Sequence, residues 1–283
     1  MKIGTINYQV QQEFCGLNLR RIVMDISLNK KNIVIMGVAN NFSIAWHIAQ
    51  SLHKAKANII FTYVNERFKK NIEKLVSTLG ENFLMVECDV ASDESIQKCF
   101  KTIGEKVGVI HGIVHSIAFA NKEELKGEYL NTTREGFLLA QNISAYSLTG
   151  IIKEASSYMS EGGSIVTLTY YGSEKVVPNY NVMGVAKASL DMSVKYLAND
   201  LGKKNIRVNA ISAGPIKTLS AKGVGDFNLI LEEIEKQSPL RRLTDPSEVG
   251  DVALFLMSEL SRGVTGEIIH VDSGFNILGG RNI

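Results

Sequence analysis

Short, continuous apolar runs alternate with amphipathic segments along almost the whole chain, and this alternation restricts the fold more than any other feature. Apolar runs of five or six residues are typical of strands buried on both faces. The first run, Asn32–Met36, precedes a helical stripe formed by Ile44, Ile48 and Leu52. Because the connections are too short for anything but right-handed crossovers, we expect a parallel sheet with helices on both faces.

The same reasoning gives seven strands. We predict them at residues 32–36, 58–63, 83–87, 112–116, 164–169, 206–212 and 267–271. We predict one helix that begins after Ser43, a plausible N-cap, and further helices at residues 66–79, 92–107, 134–159, 179–201, 228–237 and 246–258. This order predicts an α/β, doubly wound, Rossmann-type fold with a seven-stranded parallel sheet.

The chain is predicted to form one domain, residues 24–283, because no internal repeat, low-complexity run or linker interrupts it. Met24 shortly precedes the first strand and could be the biological start, which predicts a poorly ordered tail over residues 1–23. The Gly-rich, irregular segment at residues 213–227 has the size of a substrate lid, although a surface loop without function fits the same pattern.

Charge and composition argue against several classes of protein. The 31 Lys and Arg residues and 29 Asp and Glu residues are interspersed and give a net charge of +2, which does not suggest nucleic-acid binding. Cys15, Cys88 and Cys99 lack Cys-x-x-Cys spacing, and the histidines are scattered, so we expect a reducing, cytoplasmic location and no metal. There is no secretory signal pattern and no apolar run long enough to span a membrane.

One tyrosine and one lysine are candidates for catalysis. Tyr180 and Lys187 lie seven residues apart in a segment that Pro178 can open as a helix, about 20° short of two full turns, so they would share a face. A lysine ammonium there can reach a cofactor ribose and assist a nearby phenol. Tyr170 falls where a strand should end, at the edge that binds ligands. A packing helix with a buried tyrosine and a solvated lysine is the alternative.

The turn after the first strand is a candidate phosphate site. It reads Gly37-Val-Ala-Asn-Asn-Phe-Ser-Ile-Ala45 and has one glycine where a dinucleotide turn normally has three. Ala39 and Ser43 are small, and the Ser43 hydroxyl and the Ile44 amide could bind phosphate oxygens at the helix N-terminus. An ordinary strand-to-helix connection explains the turn equally well.

The ends of the next three strands could bind the rest of a dinucleotide. Val64 and Asn65 are neutral and Glu66 opposes a 2′-phosphate, whereas only Arg67 could assist it, so the segment favours NADH over NADPH. Asp89, followed by Val90, could accept a hydrogen bond from the adenine amine or could instead be a helix N-cap. The segment around Ile117 is small and apolar, so a flat ring could lie on it, although such segments are usually packing.

Taken together, these motifs resemble the short-chain dehydrogenase/reductase superfamily and, within it, the bacterial NADH-dependent enoyl-acyl-carrier-protein reductases of type II fatty-acid synthesis. The similarity covers about Leu28 to Ile277. The motifs are the turn from Gly37, Cys88-Asp-Val, His115-Ser-Ile-Ala-Phe-Ala, Tyr180-Asn-Val-Met-Gly-Val-Ala-Lys187, Arg207-Val-Asn-Ala-Ile-Ser-Ala-Gly-Pro-Ile-Lys-Thr-Leu219 and His270-Val-Asp-Ser-Gly-Phe275.

The spacing within the catalytic motif separates this chain from ordinary members of the superfamily. Those use Tyr-x-x-x-Lys with an upstream serine, whereas here the position four before Lys187 is Met183, and Thr167 lies near the serine position. By the resemblance, Tyr170 fills the space instead. A phenol aimed at a thioester oxygen would stabilise the charge that builds there when hydride is added to the β-carbon of an enoyl thioester.

The resemblance implies an enzyme that reduces a trans-2-enoyl thioester with NADH. It implies that Tyr180 donates to the carbonyl oxygen, that Lys187 binds the nicotinamide ribose, and that Tyr170 assists or supplies the proton. The implied cofactor contacts are Gly37, Ser43, Ile44, Val64, Asp89, Val90, Ile117, Lys187, Ile216, Lys217, Thr218, Leu219 and Ser220. The implied substrate contacts are Ala120, Tyr170, Tyr180, Met183 and Phe227.

By the same resemblance we expect an acyl carrier protein as the substrate carrier and a homotetramer. Two other functions fit parts of the pattern. A short-chain carbonyl or hydroxyl oxidoreductase would share the fold but is disfavoured by Met183. A dinucleotide sensor without turnover would not need Tyr170, Tyr180 and Lys187.

Overall fold

The computed structural model describes residues 26–80, 82–216, 218 and 227–279. Its centre is one seven-stranded sheet in the order β3-β2-β1-β4-β5-β6-β7, and every neighbouring pair of strands is parallel. The strands are β1 (Asn32–Met36), β2 (Asn58–Tyr63), β3 (Leu84–Glu87), β4 (Gly112–His115), β5 (Gly163–Thr169), β6 (Ile206–Ala213) and β7 (Ile268–Val271). The predicted doubly wound α/β fold is confirmed.

Helices cover both faces of this sheet. The described α-helices are α1 (Ile44–Lys54), α2 (Glu66–Val76), α3 (Asp93–Val107), α4 (Arg134–Gln141), α5 (Ser147–Ala155), α6 (Asn181–Leu201), α7 (Phe227–Gln237) and α8 (Pro246–Met257). Two apolar cores result: α3, α5 and α6 pack on one face, and α1, α2 and α8 pack on the other. The strands are apolar in both directions because each contributes side chains to both cores.

The order of the strands reverses between β1 and β4. The chain winds outward from β1 through β2 to β3, then crosses back to place β4 on the other side of β1. The helices that follow β1 and β4 therefore leave the sheet on opposite faces, and a crevice opens between the carboxyl ends of these two strands. Ligands of doubly wound proteins bind at this switch point, so the fold alone indicates where to look for a site.

Two helical predictions need correction. Residues 134–159 do not form one α-helix, because a π-helical segment, Asn142–Tyr146, separates α4 from α5 and a 3-10 turn follows. Pro178 does not open α6, because the left-handed backbone of Asn179, with φ of 60°, interrupts the segment and the helix begins at Asn181. Tyr180 is thus the N-cap residue of α6 and not part of its first turn.

The predicted tail, residues 1–23, lies outside the described residues, and so does most of the predicted lid. The lid was predicted to begin at Ala213, but β6 continues through this residue because it pairs with Val271 of β7. Among the helices that the structure describes, none is both long enough and apolar enough to cross a membrane.

Candidate active site

The turn after β1 is held tightly by its own hydrogen bonds. Gly37 has a φ of 93°, and a Cβ at this position would overlap the carbonyl oxygen of Ser116 at the end of β4. Only glycine therefore permits the close approach of the two strand ends. Ser43 occupies the N-cap position of α1, but its hydroxyl accepts from the amides of Ala39 (3.0 Å) and Asn40 (3.1 Å) and not from the helix.

This geometry fits a phosphate group. The Ser43 hydroxyl proton takes part in no hydrogen bond within the described part of the chain, and α1 begins at Ile44 with amides that have no intrahelical partner. These donors, together with the positive end of the helix dipole, suit a pyrophosphate. The single glycine of the motif is sufficient because Ala39 and Ser43 keep the rest of the turn compact.

The other predicted nucleotide contacts lie along the same edge of the sheet. Val64 follows β2 and is 42% exposed, Asp89 is exposed after β3, and Val90 and Ile117 are half-buried. The alternative that Asp89 caps α3 is wrong, because the N-cap is Ser92, whose hydroxyl accepts from the Ser95 amide at 3.2 Å. The Asp89 carboxylate instead accepts from the Ala91 amide at 2.9 Å.

The structure brings Tyr170 and Tyr180 together beside this edge. Tyr170 follows the last residue of β5, and the two ring centroids are 5.0 Å apart at an interplanar angle of 76°. Gly172 makes this arrangement possible, because a Cβ there would stand 2.5 Å from Cδ1 of Tyr180 and 3.2 Å from Cδ1 of Tyr170. Gly184 similarly lets α6 approach the Gly172 carbonyl oxygen. The edge-to-face contact fixes both phenol rings.

Lys187 is buried in α6 and is only 6% exposed. Its Nζ donates to the carbonyl oxygen of Leu168 in β5 at 2.7 Å. Burial lowers the pKa of Lys187 to about 8, and the neighbouring charge of Asp191 partly opposes this shift. An ammonium has three N–H donors, so Lys187 can bind further oxygen atoms while it keeps the bond to Leu168.

Both phenols stay protonated at neutral pH. Burial, and to a smaller extent the charge of Asp272, raises the pKa of Tyr170 to about 12. Burial raises the pKa of Tyr180 further, and the nearby Tyr170 and Asp191 act in the same direction. The two hydroxyls are therefore hydrogen-bond donors and not bases, which suits them to stabilising a developing negative charge on a substrate oxygen.

A small apolar cluster adjoins the phenols and contains three of the predicted substrate contacts. Ala120, Tyr180 and Met183 pack together with residues of α4 and α6. Ser144 from the π-helical segment connects this cluster to the loop after β4, since its hydroxyl accepts from the Phe119 amide at 2.9 Å and lies 3.6 Å from Sδ of Met183. Sequence reasoning missed Ser144, because periodicity does not reveal a π-helical segment inside a helical pattern.

A buried histidine was also missed. His115 at the end of β4 is bonded through Nδ1 to Thr167 Oγ1 (2.8 Å) and through Nε2 to Ser147 Oγ (2.9 Å). Burial and the charge of Lys187 lower the pKa of His115 to about 3, so it is neutral. Thr167 was noted because it lies near the usual catalytic serine position. Here its hydroxyl is occupied by His115 below the site.

The segment after β6 is described only in part. Ile216 is buried against α1 and α8, and the amide of Thr218 donates to the Ile216 carbonyl oxygen at 2.7 Å. A groove of about 300 Å³ lies between this segment and the start of α1, with Phe42, His47 and Pro215 among its walls. The predicted contacts Lys217, Leu219 and Ser220 lie outside the described residues, as does the side chain of Phe227, the first residue of α7.

The doubly wound sheet carries Tyr170, Tyr180 and Lys187 beside the carboxyl end of β5. This arrangement is typical of the nucleotide-dependent reductases of the short-chain dehydrogenase/reductase superfamily. A family model described as Enoyl-(Acyl carrier protein) reductase matches residues 37–276. The chain belongs to this enoyl-acyl-carrier-protein reductase family, as the motifs of the sequence predicted.

Individual relatives agree with this assignment. An NADH-dependent enoyl-acyl-carrier-protein reductase of Bacillus subtilis is 66% identical over 255 residues, which are 90% of this chain and 99% of the relative. An NADPH-dependent reductase of Staphylococcus aureus is 58% identical over 89% of this chain and 99% of its own length. The crystal structure of the Bacillus cereus reductase with NADP+ and an indole naphthyridinone is 64% identical, has a TM-score of 0.88 and covers 89% of this chain and 99% of that one.

Proposed function

We propose that this enoyl-acyl-carrier-protein reductase reduces a trans-2-enoyl thioester to the saturated acyl thioester, with Tyr180, Tyr170 and Lys187 as its catalytic residues. NADH supplies the hydride for the β-carbon when it is bound. The observation that carries this proposal is the pair of protonated phenols, 5.0 Å apart between ring centroids, at the carboxyl edge of the sheet.

Each of the three residues has a separate task. Hydride addition at the β-carbon moves negative charge to the thioester oxygen, and the Tyr180 hydroxyl donates a hydrogen bond to that oxygen. Tyr170 lies beside Tyr180 and supports the donor or supplies the proton. Lys187 keeps its bond to Leu168 and uses its remaining N–H donors for the hydroxyls of the nicotinamide ribose, which orients that ring against the substrate.

The acyl chain would pack against the cluster that contains Ala120 and Met183. Met183 also argues against the second function, reduction of a ketone or oxidation of an alcohol. It occupies the position at which the superfamily normally has its catalytic tyrosine, is 6% exposed and has no hydroxyl. The active phenol is therefore Tyr180, whose ring packs against that of Tyr170.

Residues after β2 support NADH as the preferred cofactor. The exposed Val64 cannot bind a 2′-phosphate, and Asn65 already caps α2 by accepting from the Phe68 amide at 3.3 Å. Lys69 is paired with Glu66 at 3.3 Å, so its charge is already balanced. A phosphate at the adenine ribose would meet the Glu66 carboxylate, and the exposed Arg67 is the neighbouring cation that could oppose this repulsion.

Steady-state kinetics with a trans-2-enoyl acyl-carrier-protein thioester tests this proposal. We expect oxidation of NADH with a kcat/KM at least about tenfold higher than that for NADPH, equivalent to about 1.4 kcal/mol of discrimination. Crotonyl-coenzyme A should also be reduced, and simple ketones should not. Oxidation of NADH by a ketone but not by the enoyl thioester would contradict the proposal and support the second function.

We also propose that the protein is a homotetramer, as implied by the resemblance, and that it acts in the cytoplasm. Apolar side chains are exposed on one face of α6, where Met192 is 51% and Tyr196 is 69% exposed. Leu138 of α4 and Tyr146 of the adjoining π-helical segment are also exposed on helices that pack beside α6. Exposed apolar side chains on neighbouring helices are typical of a surface that another copy covers.

Charge placed on that face should disrupt the assembly. We expect the double substitution Met192→Glu and Tyr196→Glu to yield dimers or monomers, because four or more carboxylates would be buried in a closed tetramer. Sedimentation velocity measures the change. The matched control is Leu240→Glu, an exposed apolar residue outside these helices, which should leave the assembly intact. A tetramer in the double variant would contradict the assigned interface.

A further inference from the structure

In the described part of the chain, three buried polar atoms near Lys187 have no hydrogen-bond partner. Thr169 at the end of β5 is 5% exposed, and Asp191 of α6 is 8% exposed. Within the described residues, Thr169 Oγ1, Asp191 Oδ1 and Ser173 Oγ have no hydrogen-bond partner and are inaccessible to solvent. Buried polar atoms are nearly always hydrogen-bonded, so this cluster requires an explanation.

The cluster adjoins Lys187 through α6 and through β5. Asp191 lies four residues after Lys187 in α6, so the two side chains share a face of the helix. Thr169 directly follows Leu168, whose carbonyl oxygen accepts from Lys187 Nζ. Burial raises the pKa of Asp191, and the hydroxyls of Ser173 and Thr169 partly oppose this shift because they lie close to the carboxylate, although no hydrogen bond of good geometry joins them to it.

We propose that Asp191 is a positioning residue of this reductase, which acts through Lys187 and which holds, together with Thr169 and Ser173, one buried water molecule beside that lysine. A buried water molecule typically makes two to four hydrogen bonds to polar groups that otherwise have no partner. It can donate to one oxygen atom of the cluster while it accepts from another. The three orphaned atoms are then satisfied without any movement of the backbone.

Among the titratable groups that the structure describes around Lys187, Asp191 is the one that can stabilise its positive charge. His115 of β4 faces Lys187 from the sheet but is neutral, because burial and Lys187 lower its pKa to about 3. Glu174, after β5, faces Asp191 and raises its pKa, so it opposes the carboxylate and does not replace it. Tyr180, at the start of α6, has a pKa raised by burial and stays protonated through the neutral range.

These contacts determine the direction in which Asp191 shifts the pKa of Lys187. Burial lowers the pKa of Lys187 to about 8, and Asp191 opposes that change. Removal of the negative charge therefore lowers the pKa of Lys187 further. If the charged lysine is required, kcat/KM for NADH falls with rising pH near pH 8 in the native enzyme and at a lower pH when Asp191 is neutral. Since kcat/KM reports the free enzyme, the titration of unliganded Lys187 governs this limb.

The experiment is the pH dependence of kcat/KM for NADH in Asp191→Asn. We expect the alkaline limb to move down by about one pH unit, so that activity at pH 9 falls about tenfold while activity at pH 6 stays within about twofold. The control is Asp200→Asn, the same change at an exposed position of α6, whose profile should match that of the native enzyme. A profile of Asp191→Asn that superimposes on the native one, or a loss of equal size at every pH, would overturn the proposal.

The role of Asp191 rests on the proposed role of Lys187, and a second variant distinguishes a failure of one role from a failure of the other. Lys187→Met should abolish the alkaline limb near pH 8. If the limb persists, it does not belong to Lys187 and the proposed role of the lysine fails. If Lys187→Met removes the limb and Asp191→Asn leaves it in place, the role of Asp191 alone fails.

The water molecule has its own test. Thr169→Val keeps the shape of the side chain and removes one of the three partners, so we expect a shift of the limb in the same direction as in Asp191→Asn but smaller. No shift would remove Thr169 and the water from the proposal. A crystal structure of the native enzyme should show an ordered water molecule within hydrogen-bond distance of Asp191 Oδ1 and both hydroxyls, and its absence would contradict this part.

Discussion

Tyr180→Phe is expected to lower kcat by about 10²-fold or more while KM for NADH stays within about twofold. The substitution removes only the hydroxyl, so the ring continues to pack against Tyr170 and Met183. In the proposed role of Tyr180, what is lost is a preorganised donor to the thioester oxygen, and the removal of such a donor typically costs 10² to 10³ in kcat. Single-turnover and steady-state rates with a trans-2-enoyl carrier thioester measure the effect.

The matched control is Tyr171→Phe. Tyr171 is the adjacent half-buried tyrosine, and its ring contacts Phe275 and not the pair of phenols. It should keep a kcat close to that of the native enzyme. Tyr170→Phe, measured in the same assay, shows how the donor role is divided between the two phenols. A larger loss of kcat in Tyr170→Phe than in Tyr180→Phe would make Tyr170 the main donor. Native kcat in Tyr180→Phe would contradict the assigned role of Tyr180.

Gly37→Ala is expected to have the largest effect on stability, lowering the free energy of unfolding by about 2–5 kcal/mol. A non-glycine residue at a positive φ costs about 1–2 kcal/mol. The overlap of the new Cβ with the Ser116 carbonyl oxygen adds the cost of overpacking, about 1–3 kcal/mol, because a backbone atom cannot rotate away. Urea unfolding measures the change.

Gly108→Ala is the control for the cost of placing a non-glycine residue at a positive φ. Gly108 follows α3 with a φ of 72°, and a Cβ there would meet nothing within 4 Å. The difference between the two variants therefore isolates the collision at the β1 and β4 ends. We also expect KM for NADH to rise at least about tenfold in Gly37→Ala, since a shift of about 1 Å in the turn is enough to misplace the phosphate donors. Equal stability of the two variants would mean that the strand ends can separate freely.

Much of this molecule is predictable from its sequence because its signals are local. Each strand is a short apolar run, and a segment with helical periodicity lies next to it in the sequence. The observed strand ends differ from the predicted ones by one residue at most. The motif around Tyr180 and Lys187, taken together with the other motifs between Gly37 and Phe275, predicted the family that the comparison then confirmed.

Other features depend on contacts between distant segments. The π-helical segment at residues 142–146 carries Ser144 to the loop after β4, and no periodicity in the sequence distinguishes it from an α-helix. The start of α6 was predicted from Pro178, but the left-handed Asn179 decides it. His115 was noted only as part of a motif, whereas its bonds to Thr167 and Ser147 join β4, β5 and α5.

The amino-acid sequence by itself determined the α/β order, the family and the residue types that can donate to a thioester oxygen, because periodicity and motif spacing act over a few residues. The tertiary structure decided how far apart the phenols lie, which hydroxyls remain free, and how strongly Lys187 is desolvated. These properties depend on contacts between side chains of β4, β5 and α6, which are tens of residues apart in the chain. The pKa of Lys187 is the clearest example, because burial between these elements lowers it to about 8 while the charge of Asp191 opposes the shift.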